Sequence, residues 1–187
     1  MRSLPLLFSL LLAFAAPAAL AQSDATTDPR EFSEAARQAY GRALRDARGL
    51  IAEKKYAEAI AALDKLSAER PREPQARFLK AVAQTEAGRR DDALATLTAL
   101  AADFPELPEV HNNLAVLHAA RGNLELAKTE LELAIAASPE YSPAVENLGD
   151  VYARLAARQY ERAAELEKGK GLSPAKLRLV RDALAVH

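Results

Sequence analysis

Residues 108–139 read PEVHNNLAVLHAARGNLELAKTELELAIAASP, and this stretch decides the fold. Gly122-Asn123 divides it into Pro108–Arg121 and Leu124–Ala137, both built from strong helix formers. Glycine suits the junction because it takes the left-handed conformation without a Cβ penalty. Pro139 stops the second helix, since it cannot continue the hydrogen-bond ladder. The stretch therefore predicts one helix hairpin. Working outward, Pro71, Pro105 and Pro139 are spaced by 34 residues. Ala59, Ala93 and Ala127 keep that interval, as do Leu63, Leu97 and Leu131, and Ala47, Ala81 and Ala115. A fixed period of this length marks stacked supersecondary units.

Small residues recur at one position on each helix, with Gly149 joining Ala47, Ala81 and Ala115. They let two helices approach closely where their ridges cross. Leu63, Leu97 and Leu131, with Leu50, Leu114, Leu117 and Tyr152, supply the bulk around them. One hairpin cannot bury its apolar face alone, so neighbours must stack. The predicted class is all-α.

The segments Asn113-Leu114-Ala115, Asn147-Leu148-Gly149-Asp150-Val151-Tyr152 and Tyr56-Ala-Glu-Ala59, with the spaced prolines, resemble the tetratricopeptide repeat (TPR) family from about Tyr40 to Arg154. The resemblance implies a right-handed α-solenoid of stacked helix-turn-helix repeats with a C-terminal capping helix. The expected divisions are a signal peptide at 1–21 and an N-terminal segment with a leading helix at 22–39. Repeats then fall at 40–73, 74–107 and 108–141, and a degenerate fourth repeat with a long helix and the capping helix at 142–187. Arg77 stands where the family has a large apolar or aromatic residue, and Lys54 replaces the turn glycine of the first repeat. In the fourth, Ala156 stands at the turn position and Tyr160-Glu-Arg-Ala163 repeats the second-helix signature two residues late.

No Gly or Pro interrupts Asp150 to Lys168, which predicts one long helix from about Ser142 to Lys168, striped by Leu148, Tyr152, Leu155, Ala163 and Leu166. The alternative is a helix pair with a small insertion. Gly169-Lys-Gly171 should end the segment, and Ser173-Pro174 should start a last helix with Ser as N-cap. Leu177, Val180 and Leu184 share one face of it. At the other end, Asp28-Pro29 should start a helix carrying Phe32, Ala36 and Ala39 into the first repeat.

The N-terminus carries one charge, Arg2, before Asp24; Leu4–Phe14 is apolar and Ala19-Leu20-Ala21 has small residues at a cleavage spacing. This predicts a secretory signal peptide cut before Gln22, a periplasmic protein and no stable membrane insertion after cleavage. The chain has no cysteine, so neither a disulfide nor a lipid-modified cysteine is expected. Its formal net charge of −1 gives no basic stripe for nucleic acid.

The family likeness places Leu44, Arg45 and Arg48, then Phe78, Leu79 and Val82, then Asn112, Asn113 and Val116, then Glu146, Asn147 and Asp150 on the inner, concave side. It implies that Asn113 and Asn147 could ladder along an extended peptide. An amide offers both a donor and an acceptor, so it can match a peptide unit. Each such bond contributes only about 0.5–1.5 kcal/mol, so apolar contacts from Phe78 or Val82 would have to add. The competing reading has the two asparagines bonding neighbouring helices. Arg45 and Arg48 could grip a carboxylate, though as surface charges they read better as solvated.

His111 and His118 lie two turns apart on one helix, about 10 Å, too far to share a metal ion. They read as partly buried, hydrogen-bonded histidines; His187 ends the chain. No phosphate loop, nucleophile elbow or His-Glu-x-x-His pattern is present, so the sequence predicts no enzyme, no cofactor and no metal. The expected function is an exported scaffold binding a peptide or partner protein on its concave face. The alternative is a structural or assembly subunit of a cell-envelope complex, using the convex face or the long helix, which also suits a homodimer.

Overall fold

The computed structural model describes residues 34–168 and 170–185. The signal peptide, Asp28-Pro29, Phe32, Gly169 and His187 lie outside them. Among the described residues there are eight helices and no strands: α1 (Glu34–Ala52), α2 (Tyr56–Glu69), α3 (Pro74–Glu86), α4 (Arg90–Asp103), α5 (Pro108–Ala120), α6 (Leu124–Ala137), α7 (Ser142–Leu166) and α8 (Ser173–Ala183). They form two compact units, 34–96 and 97–185.

The periodic prolines do what their chemistry requires. Helices α2, α4 and α6 stop at Glu69, Asp103 and Ala137, each two positions before Pro71, Pro105 and Pro139. A second proline opens the following helix at Pro74 and Pro108, where the missing N–H would have had no helical partner. Gly88 and Gly122 form the α3–α4 and α5–α6 turns with φ of 77° and 78°. Lys54, at the same position of the first repeat, takes φ 61° although it carries a side chain.

In the N-terminal unit, α1, α2 and α3 enclose Ala47, Ile51, Ala59, Ile60, Leu63, Leu79 and Ala83. Arg70 closes this unit. Its Nη2 donates to the Ala36 carbonyl at 2.6 Å, and its guanidinium lies 4.5 Å from the centre of the Tyr40 ring. In the C-terminal unit, Ala115, Leu124, Ala127, Leu131, Ala134, Ala144 and Val151 form the core of α5, α6 and α7, with Leu148 and Leu155 against it. The small residues Ala47 and Ala115 share a core cluster with Ala59 and Ala127, as close helix crossings require.

The fourth repeat does not turn back. Ala156 continues α7, which is a single 25-residue helix ending at Leu166. Two expectations need correcting. Of the anticipated stripe, Leu148 and Leu155 join the core, but Tyr152 is 49% and Leu166 77% exposed. Helix α8 packs on α7 at Tyr160, Glu161 and Glu167 and covers neither of them. Ser173 is the first residue of α8 rather than its cap. Its N–H and hydroxyl donate to the Glu167 carboxylate at 3.4 and 3.1 Å, which fastens the start of α8 to the end of α7.

Candidate peptide-binding face

Helices α5 and α7 present three of the asparagines singled out from sequence. Asn147 Nδ2 on α7 donates to Asn112 Oδ1 on α5 at 2.8 Å. Asn112 is buried, so this bond satisfies a group shut away from water. Asn113, half-buried beside it, donates Nδ2 to the Glu109 carbonyl one turn back at 2.7 Å. Asn113 and Asn147 thus each commit one amide hydrogen within the protein, leaving Oδ1 and a second N–H. Asp150 stands half-buried one turn further along α7, and Val116 half-buried along α5. The side of the C-terminal unit bearing Asn113, Asn147 and Asp150 is therefore a polar, mildly acidic ridge.

His111, on the neighbouring face of α5, is 6% exposed and engages both ring nitrogens. Nδ1 lies 2.8 Å from Glu130 Oε2 on α6, and Nε2 lies 3.0 Å from the Pro105 carbonyl. Both partners accept, so both contacts are hydrogen bonds only when the ring carries two protons. The pair ties α5 to α6 and to the preceding loop, and sequence reading anticipated the burial of His111 but not Glu130. His118 is half-buried with Nδ1 enclosed and without a partner among the described residues. Tyr141, just before α7, has its hydroxyl pKa pushed up to about 12 by burial and by the Glu109 carboxylate.

In the N-terminal unit the anticipated residues lie differently. Phe78 and Val82 on α3 are buried, at 2% and 3% exposure, and so offer a ligand almost no surface in this structure. Leu79 is buried too and Leu44 packs against the core. Arg45 is exposed on α1, lining a shallow, polar depression with Glu34, Arg37 and Arg42. Arg37 donates to Glu34 at 3.1 Å. Hydrogen bonds from Gln38 and Arg37 hold the Glu34 carboxyl below its usual range. Arg48 is half-buried, with Nε enclosed and unpartnered among the described residues. Sequence reading overlooked a groove of about 750 Å³ between α1 and α2, floored by Tyr40, Ala43, Leu50 and Leu66 and edged by Asp46, Lys65 and Glu69.

Among the described residues no group of three or more His, Asp or Glu side chains is placed to hold a metal ion. No described helix is long and apolar enough to cross a membrane.

Helix hairpins in a 34-residue register, with small residues at the crossings and turns in the left-handed conformation, define a helical-repeat scaffold. The tetratricopeptide repeat model matches residues 50–117 and 86–150, and the chain belongs to the tetratricopeptide repeat family. No curated protein matches the chain. Among solved structures, the first TPR domain of human RPAP3 is similar with a TM-score of 0.59 at 19% identity, covering 64% of this chain and 94% of that one. The Yersinia enterocolitica type III secretion chaperone SycD, in complex with a peptide of the translocator YopD, gives 0.57 at 15% identity, covering 65% and 98%. A thermophilic TPR protein of Thermus thermophilus gives 0.57 at 24% identity, covering 78% and 82%.

Proposed function

We propose that this protein is an exported, periplasmic scaffold that binds an extended segment of a partner protein on the α5–α7 ridge. The observation that carries the reading is the arrangement of Asn113 and Asn147, one repeat apart. Each is anchored by a single internal hydrogen bond and retains an amide donor and acceptor for a peptide unit. Support comes from the similar SycD structure, which holds a peptide of a translocator. Asp150 beside Asn147 favours a segment carrying a positive charge. With Phe78 and Val82 enclosed, the ligand's apolar contacts on this unit would come from Val116. Export rests on Arg2, the apolar Leu4–Phe14 and Ala19-Leu20-Ala21.

The double variant Asn113→Ala, Asn147→Ala tests the ridge, with peptides selected from a display library as probes and anisotropy as the readout. It should keep its helical circular dichroism and bind several-fold more weakly. Asn113→Ala alone, which loses only a bond within its own helix, should show part of the loss. Unchanged affinity in both would discard the ridge. Export is tested separately by sequencing the N-terminus of the mature protein, expected to begin at Gln22.

A further inference from the structure

Helix α7 carries a face whose complement is missing from its own repeat. Val145, Gly149 and Tyr152 lie 34 residues after His111, Ala115 and His118. On α5 that face is closed by α6: Ala115 is buried in a core with Ala127 and Leu131, and His111 bonds Glu130. On α7 the same face is open. Val145 and Tyr152 are each 49% exposed, Gly149 is exposed, and a Cβ added at Gly149 would meet nothing within 4 Å. The spacing i, i+4, i+7 sets the three on one side of the helix. They form a small-residue notch between two larger groups, the shape that receives a second helix in the repeat before it.

The helix that could have filled the notch lies too far along. Helix α8 packs on the distal half of α7, through Ser173 on Glu167, Lys176 over the Tyr160 ring and Arg181 on Glu161. Its own apolar groups are uncovered too: Leu179 on the helix and Leu172 just before it are 71% and 74% exposed. The charges at the two places are opposite. Glu140, before the notch, and Glu146, about a quarter-turn around α7 from it, are exposed and make no ion pair with the described residues. Lys170 and Arg178, beside the two leucines, are exposed and likewise unpaired among the described residues. Helix α8 holds three basic residues and one acidic one.

We infer that the occupant of the notch is α8 of a second copy of this chain, in a reciprocal two-fold dimer. An antiparallel pairing of two α7 helices brings the distal half of each, with its α8, level with the proximal half of the other. One arrangement then fills both notches, as a self-complementary interface requires. Glu146 meets Arg178 of the second copy, and Leu172 and Leu179 cover Val145, Gly149 and Tyr152. The interface leaves Asn113 and Asn147 outside it, so it does not rest on the peptide-binding reading.

The test is the mass of the purified mature chain by sedimentation velocity, at roughly 100 µM, a concentration that populates dimers with small interfaces. The wild type should sediment as a dimer. Gly149→Arg places a long charged side chain in the notch where the monomer has open space, and replaces a poor helix former by a good one. It should weaken dimerisation about tenfold or more, while at a dilution where both are monomeric it melts no lower than wild type. Leu179→Glu should do the same from the other side. Glu146→Lys and Arg178→Glu should each weaken self-association, and an equal mixture of the two should regain dimers. A wild type that stays monomeric overturns the inference, and so does a dimer that Gly149→Arg and Leu179→Glu both leave intact.

Discussion

The third and fourth repeats enter the structure with the same register and leave it with different shapes. At Gly122 the chain turns with φ 78° and α6 folds back along α5. At Ala156, one period later, α7 carries straight on to Leu166. The positions that follow diverge accordingly. Leu131 is buried, whereas Glu165, its counterpart, is exposed. Ala115 is enclosed, whereas Gly149 is open. Apolar periodicity alone therefore does not make a hairpin. It needs a residue that takes the left-handed turn at low cost, and a second helix with leucine where the first has space.

The sharpest way to break the comparison is to truncate its two counterparts. Leu131→Ala should lower the urea unfolding free energy by about 2–5 kcal/mol, because a buried leucine leaves both lost transfer energy and a cavity. Glu165→Ala, at the equivalent site on α7, should change it by less than about 0.5 kcal/mol. Equal losses would mean that the distal half of α7 is as tightly packed as α6.

A smaller effect probes the turn. Gly122→Ala puts a Cβ on a left-handed residue, 3.4 Å from Arg158 Nη2, and the same arginine donates to the Gly122 carbonyl at 2.7 Å. The expected loss is about 1–2 kcal/mol. Smallest is the first repeat, where Lys54 already bears that strain. Lys54→Gly should raise the melting temperature, by a stabilisation of about 0.5–1 kcal/mol. A loss there would show that the Lys54 side chain contributes more than its backbone costs.

How much of this was legible in the sequence follows from which interactions are periodic. Helix crossings at Ala47, Ala115, Ala59 and Ala127 repeat, so their spacing exposed the hairpins. The unbroken α7 was readable because Asp150 to Lys168 contains neither glycine nor proline. Partner choice by polar side chains does not repeat. Nothing in the sequence paired His111 with Glu130, 19 residues away, or set Arg70 on Tyr40 and the Ala36 carbonyl. The asparagines were found by register, but the internal bonds of Asn113 and Asn147 depend on rotamers that register does not fix. Phe78 and Val82 were placed on a binding surface by analogy of position, and burial is set by what surrounds a position. Tyr152 and Leu166 looked like core because the stripe was periodic, and they are exposed because α8, returning along the end of α7, covers neither.

Helix α7 has a mechanical character that none of the other helices shares. Its root is clamped by Ala144, Leu148, Val151 and Leu155, Arg158 adds one tie to the Gly122 carbonyl, and the half beyond carries α8, fastened at Tyr160, Glu161 and Glu167. A rod held at one end works as a lever. A small tilt where Asn147 leans on Asn112 swings the far end through a larger arc, so whatever seats on the ridge would be felt at the tip, and a load on the tip would be felt at the ridge.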